Sequence, residues 1–173
     1  QNPKATRLTT NLSEVSSPLL SPDGKWIAYV GTEDGNNEVY VLPAEGGQSK
    51  RLTYDGAFVS RIAAWKGDDI IFSTDLSQPF GRVVNLARIN KKGGSSTLLN
   101  YGISSNISFG KPGIALGRNT YDPARWKRYK GGTAGVLWVS KDDTMNFKKL
   151  ISLKGNMASP MWIDKRIYFL SDH

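Results

Sequence analysis

Short apolar strands recur at a nearly fixed interval along this chain, and that periodicity constrains the fold more than any other feature. "WIAYV" (26–30), "IIFS" (70–73), "GIALG" (113–117) and "RIYFL" (166–170) each follow a glycine or a turn. Within them Ile27, Ile70, Ile114 and Ile167 are 43, 44 and 53 residues apart. The tripeptide Arg-Leu-Thr stands at 7–9 and again at 51–53. A period near 40–45 residues with several strands per unit is the length of a β-propeller blade.

Each unit divides into four strands, here lettered a to d from the axis outward. The first reads "SSPLLS", "WIAYVG", "EVYVL" and "SKRLTY", with Asp23-Gly24 and Gly46-Gly47 at its hairpins. The second reads "VSRIAAW", "DIIFST", "VNLARI" and "SSTLLNY", with Gly93-Gly94 where the first has Gly46-Gly47. Glycine suits these turns because it adopts positive φ without a steric penalty. The third reads "SSNISFG", "GIALGR", "VLWVS" and "FKKLISL"; a fourth begins with "ASPMWI" and "RIYFLSD". The expected fold is all-β, a propeller of four-stranded antiparallel blades. About three and a half blades of a probable six are present. Residues 1–15 would hold the outer strand of a preceding blade. The blades would then span 16–56, 57–102 and 103–156, with a further one starting at 157–173. A β-sandwich also uses short strands, but does not require "RLT" at a fixed phase. Three complete blades leave unpaired edges, so the chain reads as a fragment of a longer propeller protein.

Composition excludes several chemistries. There is no cysteine, so disulfides and thiolate metal sites are out. His173 is the only histidine and the last residue, which argues against an imidazole base or a multi-histidine metal site. No cofactor or metal is expected; Asp68-Asp69 and Asp142-Asp143 present too few oxygens for Ca²⁺. No apolar run reaches the roughly 18–20 residues of a membrane span. Net charge is +8, with the excess spread along the chain, which permits acidic partners without naming one. Trp26, Trp65, Trp138 and Trp162 read as blade packing.

Length variation is concentrated in one connection. From strand b to strand c the anchors Ile27–Val39, Ile70–Leu86 and Ile114–Leu137 are 12, 16 and 23 residues apart. From strand c to the next strand b the intervals are 31, 28 and 30. In an up-and-down meander the b–c loops and d–a links share one face, and clustered insertions mark a binding face. The longest b–c loop is "YDPARWKRYKGGTAG" (121–135); its counterparts are "DLSQPFGR" (75–82) and "TEDGNN" (32–37).

The stretches "STDLSQPF" (73–80), "GRNTYDPARWKRYKGGTAGVLWV" (117–139) and "ASPMWIDKRIYFLSD" (158–172) resemble the first propeller of the tricorn protease family. "SPDGKWIAYV" with "GGQSKRLT" is a generic repeat shared with Tol-system and prolyl-oligopeptidase propellers. The resemblance implies a large serine protease that trims peptides and assembles as hexamers. Its catalytic Ser, His, Ser and Glu belong to a C-terminal half with no counterpart here, so no catalytic residue carries over. In the family an adjacent pair of arginines, in the region matching the stretch after "RLTYDG", anchors a peptide carboxylate. Here that region has only Arg61, and no Arg-Arg pair occurs in the chain.

The candidate contact residues for peptides or an interface are therefore Arg61, Gln78, Phe80, Arg118 and the loop residues Arg125, Trp126, Lys127, Arg128, Tyr129 and Lys130. Basic and aromatic residues interleaved in this way also suit nucleic acid, which needs a basic groove with stacking rings. The apolar load of Tyr121, Pro123, Trp126 and Tyr129 favours docking against a domain, a subunit or a peptide instead. The bland alternative is a solvated loop with its rings tucked onto the blade. For Arg118 the alternatives are a channel mouth and a strand terminus; for Gln78 and Phe80 they are a loop-face contact and loop packing. Expected partners are peptides, the remaining domains of the same protein and further copies of it, without nucleic acid or membrane. The expected location is cytoplasmic, with a periplasmic or secreted one as the alternative. Two other functional classes fit a propeller: a non-enzymatic Tol-system-like binding module, and the gating propeller of a prolyl-oligopeptidase-type enzyme.

Overall fold

The structure, a computed structural model, describes residues 4–9, 12–81, 83–120, 131–141 and 144–173. Among them are fourteen strands and no helix. The first sheet contains β1 (Val15–Leu20), β2 (Trp26–Gly31), β3 (Glu38–Pro43) and β4 (Lys50–Arg51). The second contains β5 (Val59–Lys66), β6 (Asp69–Thr74), β7 (Asn85–Asn90) and β8 (Thr97–Leu98). The third contains β9 (Asn106–Gly110), β10 (Gly113–Arg118), β11 (Val136–Lys141) and β12 (Lys148–Lys149), and β13 (Met157–Ile163) with β14 (Arg166–Ser171) begins a fourth. Within each sheet the strands pair in chain order and antiparallel. These are propeller blades, all-β as the periodicity predicts.

The middle strands explain why their sequences read as near-continuous apolar runs. The second blade is covered on both faces by its neighbours, so both sides of β6 are buried. Ile70 and Phe72 face the first blade, in a core with Ala28, Val30, Val39, Val41, Leu52, Val59, Ile62, Trp65, Ala87 and Ile89. Ile71, one residue out of phase, enters the core shared with the third blade through Leu86, Ile107, Ile114 and Leu116. Each large apolar side chain sealed in this way contributes about 1.5–3 kcal/mol. The four tryptophans do pack between blades. Trp65 donates its indole N–H to the Leu19 carbonyl at 3.0 Å, joining β5 to β1. Trp26 and Trp138 flank the two cores. The ring of Trp162 lies so close to Gly110 that a Cβ there would overlap it, and its backbone N–H donates to Ser108 Oγ at 2.8 Å.

Local chemistry sets the turns and irregularities. Gly46, Gly47, Gly93 and Gly94 all have positive φ, as their matched hairpins require. Asp23 is a turn residue: its carboxylate accepts from Ser21 Oγ (2.5 Å) and Lys25 N (3.1 Å), which holds its pKa below the usual range. β1 and β13 carry the same bulge, in which Ser17-Pro18 oppose Tyr29 and Ser159-Pro160 oppose Phe169, with φ of 49° and 50° at the two serines. Residues 4–9 form no strand. Leu8 nonetheless packs on Tyr29, Tyr40 and Leu42 of the first blade.

Tyr29 and Tyr40 stack at 5.5 Å beneath Leu8, and their hydroxyls donate to Glu33 (2.8 Å) and Asp34 (3.0 Å). Burial, with the acidic acceptors adding to it, pushes the Tyr29 phenol up to about 12 and raises Tyr40 as well. The unfolded chain ionises near 10. The stabilisation is therefore complete below about pH 10 and is lost as pH rises toward the folded value. Urea unfolding at about pH 9 and about pH 11 should show a smaller alkaline loss for Tyr29→Phe than for the parent. The limiting slope is about 1.4 kcal/mol per pH unit per tyrosine. Equal losses would exclude Tyr29 as the source.

Candidate functional site

The b–c loops and d–a links meet on one face, and a cleft of about 340 Å³ opens there between the second and third blades. Phe58 and Ser60 come from the entry to β5, Asp75, Gly81 and Val84 from the second b–c connection, and Ser105 and Thr120 from the third blade. Arg61 projects from β5 into the same lining.

Hydrogen bonds fix the walls. Asp75 Oδ1 accepts from Phe58 N at 2.7 Å, and the Asp75 amide donates back to the Phe58 carbonyl at 3.2 Å. In the fourth blade Asp172 Oδ1 accepts from Asn156 N at 2.6 Å in the same way. On the opposite wall Thr120 donates to Asn106 Oδ1, and Ser105 Oγ lies 3.1 Å from Thr120 Oγ1. The b–c loops are also tied forward to the next blade. Val59 N donates to Asn37 O (3.3 Å), Ser104 N to Val84 O (3.1 Å) and Met157 N to Gly135 O (3.1 Å). Gly135 N donates to Asn156 Oδ1 at 3.1 Å, and a Cβ at Gly135 would overlap the Met157 carbonyl. The C-terminal stem of the longest loop is thus pinned to the fourth blade.

The candidates named from the sequence fall into three groups. Arg61 is half-buried in the cleft, and no carboxylate or carbonyl among the described residues pairs with its guanidinium. Phe80 is 72% exposed close by, while Gln78 is held by its amide on the Asp75 carbonyl at 2.8 Å. Arg118 is placed differently: its guanidinium lies over Trp138 at 4.6 Å and donates to the Tyr101 carbonyl at 3.1 Å. It is a packing cation of the blade interface, separate from the Arg61 cleft. Arg125, Trp126, Lys127, Arg128, Tyr129 and Lys130 lie outside the described residues, as do Asp142 and Asp143. Sequence reasoning missed Asp75, Ser60, Ser105 and Thr120. A signal for Asp75 existed, since a Ser/Thr-Asp step closes strand b in both the second and fourth blades (74–75 and 171–172). Among the described residues no group of His, Asp and Glu could hold a metal ion, and no helix is long and apolar enough to cross a membrane.

Repeated four-stranded antiparallel blades with their variable loops gathered on one face define a β-propeller. The whole chain, residues 1–173, matches the tricorn protease N-terminal beta propeller domain, and it belongs to that family. It is 38% identical over 173 residues to a tricorn protease homolog of Saccharolobus solfataricus, covering 98% of this chain and 16% of the relative. It is 33% identical over 142 residues to a putative tricorn-like protease N-terminal subunit of Sulfurisphaera tokodaii, covering 80% of this chain and 73% of that one. The crystal structure of the tricorn protease superposes with a TM-score of 0.81 at 31% identity, over 95% of this chain and 17% of the other. The chain therefore spans about a sixth of the length of the full-size relatives.

Proposed function

We propose that this chain is part of the propeller of a peptide-trimming serine protease, and that its loop face guides or gates peptides while catalysis takes place in other domains. The observation that carries this reading is the loop-face cleft, where Arg61 has no partner among the described residues and Phe58 stands 52% exposed; Phe80, 72% exposed, precedes the Gly81 of its lining. An unpaired guanidinium suits a peptide carboxylate, and exposed rings suit apolar peptide side chains. The names of the relatives, which are tricorn proteases, support the same reading. The single propeller, with blades at 16–56, 57–102 and 103–156, would work in a cytoplasmic homo-oligomer.

In the full-length protease, Arg61→Ala should raise KM for peptides with a free C-terminus by about 10- to 100-fold and leave kcat nearly unchanged. That is the range for losing one charge-assisted hydrogen bond. An unchanged KM would remove Arg61 from peptide handling. In the same assay, alanine at Arg125, Lys127, Arg128 and Lys130 together should alter turnover or oligomer size. If neither moves, that loop is only solvated.

A further inference from the structure

The third blade is charged unlike its neighbours. Residues 103–156 contain ten Lys and Arg against three Asp and Glu, whereas residues 57–102 have six against three and residues 16–56 have three against six. The positive excess is therefore not spread along the chain, as the unsegmented sequence suggests, but concentrated in one blade. In the first two blades several cations of the outer strands and their hairpins have partners. Arg51 is held by Glu38 and Asp34, Arg88 lies 3.7 Å from Asp69, and Lys91 lies 2.8 Å from Asp68. Lys50 Nζ donates to the Lys92 carbonyl at 2.6 Å. In the third blade Lys141, Lys148, Lys149 and Lys154 are all exposed, and none is paired with a carboxylate among the described residues.

These lysines line two clefts that share Lys149 of β12. One, of about 440 Å³, runs past Lys141, Lys148, Val139 and Leu150; the other, of about 560 Å³, runs past Lys149, Lys154, Val136 and Leu153. Between them residues 148–152 are exposed throughout, with Leu150 and Ile151 at 37% and 41%. Like charges without a carboxylate partner among the described residues, beside exposed aliphatic side chains, invite an anionic, partly apolar partner. β12 is also the outermost strand of its sheet, with a free backbone edge.

We propose that the outer edge of the third blade docks an extended acidic segment of another protein. Its carboxylates sit among Lys141, Lys148, Lys149 and Lys154, its aliphatic side chains lie against Leu150 and Ile151, and its backbone pairs with β12. Strand addition gives affinity through main-chain hydrogen bonds, and alternate side chains give selectivity. A nucleic-acid strand fits less well, because no large aromatic side chain is exposed on this edge among the described residues to stack a base. The site lies on the fourth strand of its blade, whereas Arg61 stands on the first strand of the second blade, so the proposal does not depend on peptide handling at the loop face.

The test uses the full-length protein and a labelled peptide of about a dozen residues alternating Glu with Val or Leu. Binding is followed by fluorescence anisotropy. Binding should weaken as salt rises from about 20 to about 200 mM. The double reversal Lys148→Glu/Lys149→Glu should weaken it by at least about 10-fold, with an unchanged circular dichroism spectrum and melting temperature. Absence of binding to the parent, or equal binding to the reversed variant, would overturn the proposal. So would a thymidine oligonucleotide of equal charge that bound as tightly and was lost in the same variant. A parent that ignores the peptide while Lys148→Ala/Lys149→Ala self-associates would reduce the lysines to guards of a strand edge, and also overturn it.

Discussion

Gly113→Ala should destabilise the protein by about 3–5 kcal/mol, the range reached when strain and overpacking coincide. Gly113 opens β10 with φ at +146°, a backbone region that L side chains rarely adopt. A Cβ there would overlap the Ser140 carbonyl oxygen and press on Lys141 Cα at 3.0 Å. Those atoms belong to the partner strand, paired through Gly113 with Lys141 and Ile114 with Ser140, so no rotamer change can relieve the clash. Gly67 separates the two contributions. Its φ is +61°, but nothing lies within 4 Å of a Cβ built on it. Gly67→Ala should therefore cost only the strain, about 1–2 kcal/mol. Urea unfolding of both variants is the measurement. If Gly113→Ala cost no more than Gly67→Ala, close strand approach would not be what requires glycine at 113.

Glu38→Ala should cost about 2–4 kcal/mol. Glu38 starts β3 and is 1% exposed. Its carboxylate lies 2.7 Å from Arg51 Nη2 and accepts from the Thr53 hydroxyl, which in turn accepts from Val39 N at 2.9 Å. Arg51 also reaches Asp34 at 3.2 Å and donates to the Thr53 carbonyl at 2.8 Å. Removing one partner of a buried pair strands the other, at about 3–5 kcal/mol. The lower figure here reflects Arg51, which keeps Asp34 and is 20% exposed. Arg51→Ala alone and combined with Glu38→Ala closes a double-mutant cycle. Coupling below about 0.5 kcal/mol would mean that the two side chains act independently.

The repeat made much of the architecture legible. The all-β class, the strand order within each sheet and the matched Gly-Gly hairpins follow from local pattern: apolar runs of strand length, punctuated by residues that tolerate positive φ. The packing role of the tryptophans was legible for the same reason, since large rings in short, doubly covered strands have nowhere to go but between sheets. Residues 4–9 are expected from the sequence as the outer strand of a preceding blade. Leu8 packs on the first blade, but a strand needs a sheet edge in register with it, and residues 4–9 lie outside the fourteen strands.

Side-chain partnership was much less legible. Arg118 sits where strand b ends, and nothing around it in the sequence announces the Trp138 ring or the Tyr101 carbonyl, 17 residues back, that engage it. Arg61 and Arg118 look alike as isolated basic residues, yet one lines an open cleft and the other is spent on an interface.

By itself the sequence determined the class of fold and the antiparallel order of strands within a sheet, because each depends on residues within one strand or turn of each other. It also determined the family, through stretches that are contiguous in the chain. The tertiary structure alone decided which cations are satisfied, where the loop stems are pinned and where a cleft opens. Those outcomes depend on contacts between blades, such as Trp162 with Ser108, 54 residues apart, and on desolvation, which no local spacing encodes.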